Sequence, residues 1–130
     1  MQILSIGHSG SSTFLYYLST IKGKPGERHV SRLNIDNLAV ECLTCHLGDE
    51  CLFNTATFSL DASYYVLECN GPAIPRIQLH KAYDDSLLMN LQTNDDIKHK
   101  LEKRLLPKIN KFNINTGNYS MEIYHYYYCS

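Results

Sequence analysis

The residues whose side chains are best suited to bond formation or metal binding are the cysteines between positions 42 and 69. Four of the five cysteines in this 130-residue chain lie there, and the first two form a Cys-x-x-Cys-His run that ends at His46. Cysteine and histidine side chains can form disulfides, attach haem or bind zinc. The four are Cys42, Cys45, Cys51 and Cys69.

Two disulfide bonds are the first interpretation. If residues 53–69 form a hairpin that turns at positions 60 and 61, Cys51 faces Cys69 across the ladder. Facing residues of antiparallel strands have Cα separations of about 4.5–5.5 Å, which suits a disulfide. Cys42 and Cys45 are then left to each other in a tight turn, although four cysteines allow three pairings.

Haem attachment is the second interpretation, because Cys42-x-x-Cys45-His46 satisfies the attachment pattern, with His46 as an axial ligand. A haem also needs an apolar enclosure and a second axial ligand, which Met89 or Met121 would have to supply. The pattern fixes only three residues, and the strand-rich surroundings do not suggest a small helical cytochrome. The sequence therefore disfavours haem.

Zinc is the third interpretation. The available ligands are Cys42, Cys45, Cys51 or Cys69, with His46 or His80. Strong zinc patterns have two paired clusters, whereas seventeen residues separate the second pair here. A thioredoxin-type redox motif would need a strand-to-helix context that Cys42 lacks. We therefore expect disulfides, no metal and no cofactor, with Cys129 left to a partner outside the chain.

Composition permits one ordinary domain and argues against several classes. The hydrophobic fraction of 44% supports a core. A net charge of −1 and a pI near 6.6 argue against a nucleic-acid partner. Residues 1–10 lack the pattern of a signal peptide, yet five cysteines favour an oxidising compartment. We resolve this conflict by expecting the natural N-terminus to be missing.

Strand signals occur in two similar passages on either side of the first cysteines. The predicted strands are 2–6, 13–21, 29–35, 54–60, 62–69 and 76–81, with turns at 7–12, 22–27 and 71–75. Three landmarks recur at an offset of 48 residues: Tyr16-Tyr17 with Tyr64-Tyr65, Gly23 with Gly71, and Arg28 with Arg76. Repeats of about 40–50 residues built from strands and turns are typical of β-propeller blades. Because two blades cannot close a ring, we expect a piece of a larger domain.

The last third has a different character. A helix is predicted over 93–106, with Thr93 as its cap, acids in the first turn and Pro107 as its stop. Strands are predicted at 108–114 and 120–128. Asn118 begins an Asn-x-Ser glycosylation sequon. The predicted organisation is a propeller segment at 1–92 and a helix with strands at 93–130.

Catalytic motifs are missing from the sequence. It has no Gly-x-Ser-x-Gly elbow and no phosphate-binding glycine loop. Asp84-Asp85 and Asp95-Asp96 are interpreted as solvated turn and cap residues. On its own residues, the chain is not expected to be an enzyme.

The sequence resembles the dipeptidyl peptidase IV and fibroblast activation protein family of prolyl-specific serine peptidases. The resemblance covers nearly the whole chain and is most specific over 42–80. Its segments are Gln2-Ile3-Leu4, Tyr16-Tyr17-Leu18-Ser19, Gly23-Lys24-Pro25-Gly26-Glu27-Arg28, Cys42-Leu43-Thr44-Cys45-His46-Leu47, Cys51, Phe58-Ser59, Tyr64-Tyr65, Cys69, Gly71-Pro72, Ile74-Pro75 and Leu79-His80. The chain departs from the family by a Cys45–Cys51 spacing one residue shorter, and by ending in Tyr126-Tyr127-Tyr128-Cys129-Ser130 where the family continues toward Leu-Pro-Pro.

The resemblance implies the last blades of an eight-bladed β-propeller, mainly β, plus a short amphipathic helix and a linker to a missing α/β-hydrolase domain. It implies the pairings Cys42–Cys45 and Cys51–Cys69 and a glycosylated Asn118. The whole parent would be a secreted or type II membrane protein at the cell surface and a dimer. It would release N-terminal dipeptides after proline or alanine, with the propeller gating access and binding the peptide.

No catalytic residue carries over, because neither the triad nor the family's paired glutamates match any position here. The alternative is a propeller fragment of a catalytically inactive relative that assists membrane channels or binds partners.

Overall fold

The structure is a computed structural model that describes residues 1–128. The chain divides into two compact units, Met1–Asn94 and Asp95–Ser130, and each is described by itself. None of the helices among the described residues is long and apolar enough to cross a membrane. Cys129, the cysteine left without an assigned partner, lies outside the described residues.

The first unit begins with a four-stranded antiparallel sheet in chain order. Its strands are β1 (Gln2–Ser9), β2 (Ser12–Ile21), β3 (Lys24–Asn34) and β4 (Val40–Cys42). The turn predicted at 22–27 is wrong in extent, because β3 already begins at Lys24. A register irregularity between Ser19 and Ile21 of β2 accompanies this pairing. Such irregularities are where a strand tolerates proline, and Pro25 lies next to this one.

A second four-stranded antiparallel sheet follows with the same order. Its strands are β5 (Asn54–Phe58), β6 (Tyr64–Cys69), β7 (Arg76–Lys81) and β8 (Leu87–Gln92). Four antiparallel strands in sequence are the unit of a propeller blade, so the mainly β propeller prediction is confirmed. The prediction missed β4 and β8. The former has only three residues, and every residue of the latter is exposed, so neither shows an alternating pattern.

The two sheets repeat each other in sequence, but their glycines and their buried tyrosines repeat at different offsets. Gly23 and Gly71 both have positive φ, of 81° and 118°, and they keep the offset of 48 residues. The buried tyrosines are Tyr16 and Tyr65, with exposed fractions of 2% and 1%, and they are 49 residues apart. The repeat therefore reflects two equivalent sheets, but the paired tyrosines align one residue away from the predicted match.

Apolar side chains of both sheets form one core. Its buried members are Tyr16, Leu18, Val30, Leu43, Ala56, Ala62, Tyr65, Leu67 and Ala82. A backbone hydrogen bond also joins the two sheets, because the N–H of Arg28, within β3, donates at 2.8 Å to the carbonyl of Leu52, two residues before β5 begins. The two blades are thus packed together through a shared interior.

The second unit contains one helix and one hairpin. These are α1 (Asp95–Glu102) and the antiparallel pair β9 (Lys108–Thr116) and β10 (Tyr119–Tyr127). The acids predicted for the first helical turn are there, but the predicted span 93–106 is too long. The helix begins at Asp95, after Thr93, and ends at Glu102. It does not reach Pro107, and proline disfavours helical backbone in the residue before it.

Candidate functional site

The cysteines singled out by the sequence form two disulfide bonds. Cys42, at the end of β4, bonds Cys45, the first residue of a one-turn 3-10 helix, with their Cα atoms 5.6 Å apart. Cys51 bonds Cys69 of β6, with a Cα separation of 5.5 Å. The disulfide interpretation is therefore confirmed, with the pairings that the family resemblance implies.

The hairpin register used to pair Cys51 with Cys69 is wrong. Asn54, not Cys51, faces Cys69, and Cys51 instead forms an isolated bridge with Pro72. The two cysteines still approach each other because the chain between Cys51 and Asn54 is irregular. There the Leu52 and Phe53 N–H groups both donate to the Gly71 carbonyl, at 2.8 and 3.1 Å.

The longer hairpin turn explains the displaced register. The Ser59 N–H donates to the Tyr64 carbonyl at 3.0 Å, so four residues lie in the loop where two were expected. Asp61 organises this loop by accepting hydrogen bonds from the Ser59 hydroxyl at 2.6 Å and the Ser63 hydroxyl at 2.7 Å. These bonds lower the pKa of Asp61 to about 2. Ala62 completes the turn with a positive φ of 52°.

The Cys-x-x-Cys-His run does not form a haem site in this arrangement. Both sulfur atoms are used in a disulfide, and the 3-10 helix that carries His46 has no buried residue. Met89, one of the two candidate second ligands, lies exposed on β8. A haem needs covalent sulfur attachment and an apolar enclosure, and these residues offer neither.

The structure does not bring together the ligands that the zinc interpretation named, because all four cysteines are in disulfides. Among residues 1–128, the one group of three potential metal ligands is His29, Cys42 and Cys45, whose ligand atoms lie within 4.8 Å of one another. The predicted His46 and His80 do not belong to it. No local sequence pattern points to His29, because it is the β3–β4 pairing that brings it near Cys42.

A group that we call the inter-sheet seam joins the two blades through polar contacts. It consists of Tyr16 and Arg32 from the first sheet and the carbonyls of Ala82 and Tyr83, in the β7–β8 loop of the second. The Tyr16 hydroxyl and the Arg32 guanidinium donate to the Ala82 carbonyl at 3.1 and 3.2 Å. The guanidinium also donates to the Tyr83 carbonyl and pairs with Glu41 at 2.7 Å. One cation thus anchors the loop of the neighbouring blade.

A row of rings runs through the shared core beside the seam. Tyr16, Phe58, Tyr65 and His80 follow one another with centroid separations of 4.5, 5.1 and 5.1 Å. These separations are typical of favourable aromatic pairs. The row crosses from β2 of the first sheet to β7 of the second, so it couples the packing of the two blades.

Asp85 lies at the end of this row, although the sequence analysis interprets it as a solvated turn residue. The Tyr65 hydroxyl donates to its carboxylate, and His80 Nδ1 lies 3.1 Å from its carbonyl and 3.3 Å from its carboxylate. The Asp85 side chain is only 19% exposed, so that interpretation is wrong. The left-handed backbone of Asp85, with φ of 57°, turns the side chain inward. The neighbouring Asp84 behaves as predicted, accepting a bond from the Ser86 hydroxyl at 2.7 Å.

The pKa values in this cluster follow from burial and from Asp85. Burial raises the pKa of Tyr65, and the Asp85 carboxylate raises it further. Burial by itself lowers the pKa of His80, but the hydrogen bonds and the charge of Asp85 outweigh it, so the net direction is upward. His80 Nε2 is buried and has no hydrogen-bond partner among the described residues. The cluster holds the β7–β8 loop in place.

Asn118 lies in the tight turn between β9 and β10. Thr116 pairs with Tyr119 at the end of the ladder, and Gly117 supplies a positive φ of 65°. The Asn118 side chain is exposed. A glycan there would project from the end of the hairpin.

Comparison with known proteins places these blades in a family. The profile described as "Dipeptidyl peptidase IV (DPP IV) N-terminal region" matches residues 3–76. Dipeptidyl peptidase 4 of Bos taurus is 37% identical over 100 residues, which is 75% of this chain and 13% of that protein. Prolyl endopeptidase FAP of Mus musculus is 38% identical over 99 residues, covering 73% of the chain and 13% of that protein.

A more distant relative extends the match. Venom dipeptidyl peptidase 4 of Apis mellifera is 28% identical over 128 residues, which is 95% of this chain and 16% of that protein. The chain thus spans about an eighth to a sixth of the length of these curated relatives. With two consecutive four-stranded blades, two disulfides and a matching profile over more than half of its residues, the chain belongs to the dipeptidyl peptidase IV N-terminal region family.

Proposed function

We propose that this chain contributes two adjacent blades to a dipeptidyl-peptidase-IV-like propeller whose remaining blades and hydrolase domain lie outside the sequence described. The observation that carries the proposal is the pair of four-stranded meanders with the same strand order, held by the inter-sheet seam, within a segment that matches the family. In this role the chain is a structural and access-gating element. The chemistry, release of dipeptides after proline or alanine, would belong to the hydrolase domain.

The exposed apolar residues of β8 support further blades as partners. Leu87, Leu88, Met89 and Leu91 are between 45% and 53% exposed. A propeller blade buries its faces against neighbouring blades, and a lone pair of blades leaves such side chains in water. This surface is consistent with a chain that packs against more blades of the same kind.

A segment exchange tests the proposal. In Bos taurus dipeptidyl peptidase 4, the segment that corresponds to the first unit, Met1–Asn94, is replaced with that of this chain, and hydrolysis of a Gly-Pro reporter is measured. We expect the chimera to fold and hydrolyse the reporter, whereas the 130-residue chain alone does not. The matched control is the same chimera with Arg32→Met, which removes the guanidinium that donates to the Ala82 and Tyr83 carbonyls and should melt at a lower temperature. A chimera that does not fold, or turnover by the isolated chain, would contradict the proposal.

We further propose that the protein is extracellular or at the cell surface and carries a glycan on Asn118. Support comes from the two disulfides, which persist in oxidising compartments, and from the exposed position of the sequon. The chain is secreted from eukaryotic cells behind an added signal peptide, and its mass is measured before and after glycan removal. We expect a mass decrease in the wild type and none in Asn118→Gln. An unglycosylated wild type would refute the modification.

A further inference from the structure

We propose that a cleft in the first sheet, beside Arg28, binds the carboxylate group of a monovalent acid. The cleft, which we call the Arg28 cleft, is an open cavity of about 210 Å³. It is lined by Met1, Gln2, Leu18, Ser19, Thr20 and Arg28. These residues come from β1, β2, β3 and the position before β1, so the cleft lies within the first unit. The inference does not depend on the proposed function.

Arg28 is the one arginine of the first unit that forms no ion pair with a described carboxylate. Arg32 pairs with Glu41 at 2.7 Å. Arg76, which occupies the repeat position 48 residues after Arg28, pairs with Glu50 at 3.9 Å. The same position therefore has an acidic partner in the second blade and none among the described residues in the first. Because a partly buried cation is stabilised by an anion, an external carboxylate can supply the missing charge.

The acid nearest to Arg28 along the chain has other partners. Glu27 precedes Arg28 in β3, and adjacent residues of a strand point to opposite faces of the sheet. The Glu27 carboxylate pairs with Lys24 Nζ at 3.0 Å and lies 3.4 Å from His29 Nε2. Glu27 is therefore not the counter-ion of Arg28.

The Arg28 guanidinium is held in place by neutral groups. Its Nη2 donates to Gln2 Oε1 at 3.0 Å, and its central carbon lies 5.5 Å from the centroid of the Phe53 ring. The backbone is fixed as well, because the Arg28 N–H donates to the Leu52 carbonyl at 2.8 Å and the Arg28 carbonyl accepts from Asn54 Nδ2 at 3.1 Å. A guanidinium has further N–H groups in a planar fork, so a positioned donor set is available to a ligand.

The other groups of the Arg28 cleft suit a carboxylate with a short apolar body. Ser19 and Thr20 can donate from their hydroxyls, and the strand irregularity between Ser19 and Ile21 explains why two consecutive residues line one cavity. Leu18, which is 3% exposed, provides an apolar wall. An arginine fork matches the two oxygens of a carboxylate, and its single charge balances a monovalent anion. A divalent anion such as sulfate would keep an unbalanced charge.

The test uses the full 130-residue chain, with propionate as the probe, because propionate carries one charge and has a short apolar body. The Nε–H resonance of Arg28, identified by its absence in Arg28→Gln, is followed by NMR as propionate is added at constant ionic strength. We expect a saturable shift with a Kd on the order of 10 mM. Propionamide, the neutral amide of nearly the same shape, should produce no shift. An Arg28 resonance that does not saturate, or an equal shift with propionamide, would overturn the proposal.

Two variants and a matched control identify the binding group, with binding measured from the backbone amide resonances of Ser19 and Thr20. Arg28→Gln should weaken propionate binding at least about tenfold. Arg28→Lys should bind with intermediate affinity, because it keeps the charge and loses the fork. The control Arg76→Gln removes the same charge at the repeat position and should bind as the wild type does. Loss of binding in Arg76→Gln with retention in Arg28→Gln would reject the site.

Two competing explanations are tested on the wild type, which also covers the event that Arg28→Gln does not fold. Acetylation of the Met1 amino group removes the other positive charge beside the cleft and should leave propionate binding unchanged. Sulfate at the same ionic strength should bind no more tightly than propionate. Loss of binding on acetylation would assign the anion to the amino terminus, and tighter binding of sulfate would contradict the carboxylate class.

The carboxylate can belong to a free small acid or to an acidic side chain of another chain, and a second probe separates the two sources. It is a short peptide, capped at both ends, whose single charged residue is glutamate. Saturation by propionate alone supports the site and identifies a free acid as its ligand. Saturation by the peptide, with the same dependence on Arg28, supports the site and identifies an acidic side chain. Saturation by neither probe would refute the inference.

Discussion

The two blades approach each other closely at Gly7 of β1, where a small residue is required. A Cβ atom on Gly7 would lie 2.6 Å from the Ala62 Cβ and 3.5 Å from both the Ala62 carbonyl oxygen and a Tyr16 ring carbon. Carbon atoms pack best at about 3.5–4.0 Å, so the first of these contacts is about 1 Å too short. Ala62 is buried, and its Cβ is fixed to the backbone, so no side-chain rotation relieves the overlap. Gly7→Ala must displace either β1 or the β5–β6 turn.

Two effects of opposite sign determine how much Gly7→Ala changes the free energy of unfolding. Gly7 lacks the left-handed φ that penalises alanine, so the substitution alone would stabilise the fold by about 0.4–1 kcal/mol through the unfolded chain. Overpacking by one methyl group in a rigid contact costs about 1–3 kcal/mol. The cost of overpacking exceeds the gain from the reduced entropy of the unfolded chain. We therefore expect the free energy of unfolding to decrease by about 1–2 kcal/mol.

Urea unfolding of the 130-residue chain, followed by far-UV circular dichroism because the chain has no tryptophan, measures this change. With a slope of about 1–3 kcal/mol per molar urea, the midpoint should fall by roughly 1 M. The second variant, Ala62→Gly, removes the opposing methyl and suits the φ of 52° at that position. The double variant should regain most of the loss.

Leu38→Gly is the matched control for backbone strain. Leu38 has a similar φ of 60° but is 72% exposed, so this variant reports the relief of φ without any contact between blades. If Gly7→Ala is as stable as the wild type, or if its effect simply adds to that of Ala62→Gly, the close approach of the blades is not as described.

Two further predictions concern His80 and the disulfides. Because the folded pKa of His80 is raised by Asp85, its contribution to stability is fully present below the unfolded pKa of about 6.5 and is lost as the pH increases through the higher folded pKa. The free energy of unfolding should therefore decrease from pH 6 to pH 8 more in the wild type than in His80→Gln, and equal slopes would contradict the assignment. Replacing Cys51 and Cys69 together by alanine should cost about 3 kcal/mol, because their bond closes a loop with a sequence separation of 18. The same replacement of Cys42 and Cys45, which are three residues apart, should cost about 2 kcal/mol, and a reversed order in urea unfolding would refute this reasoning.

Strands that alternate buried and exposed side chains are predictable from the sequence. When one face of a sheet is buried, apolar and polar residues have to alternate along each strand. The pattern of β6 from Tyr64 to Cys69 is a clear case. Every residue of β8 is exposed, so its burial does not alternate as that of β6 does, and the strand is not among those predicted.

The register of the β5–β6 hairpin was not predictable from strand patterns, because it depends on the number of residues in the turn. Asp61 stabilises a four-residue loop through the Ser59 and Ser63 hydroxyls, and two extra loop residues displace every facing pair. Cys51 still reaches Cys69 because the backbone before Asn54 is irregular. The disulfide therefore does not require the two cysteines to face each other in the ladder.

The contacts of the polar residues in the site are also not predictable from strand patterns. Asp85 is directed inward by one left-handed residue in a loop, and a sequence of paired aspartates gives no sign of that conformation. Its partners, Tyr65 and His80, are 20 and 5 residues away in the chain and come together only through the β6–β7 register. A charged residue in a turn is usually solvated, so the sequence alone favours the wrong alternative.

Adjacency in the chain is a poor guide to what surrounds the sulfur atoms of Cys42 and Cys45. His46 follows them directly, yet it lies exposed on a 3-10 turn, whereas the buried His29 reaches the same sulfurs from β3. The Cys-x-x-Cys spacing closes a turn against β4, and the sheet register decides which histidine stands beside it. In the structure both sulfurs belong to one disulfide, and the motif fastens the turn that follows β4.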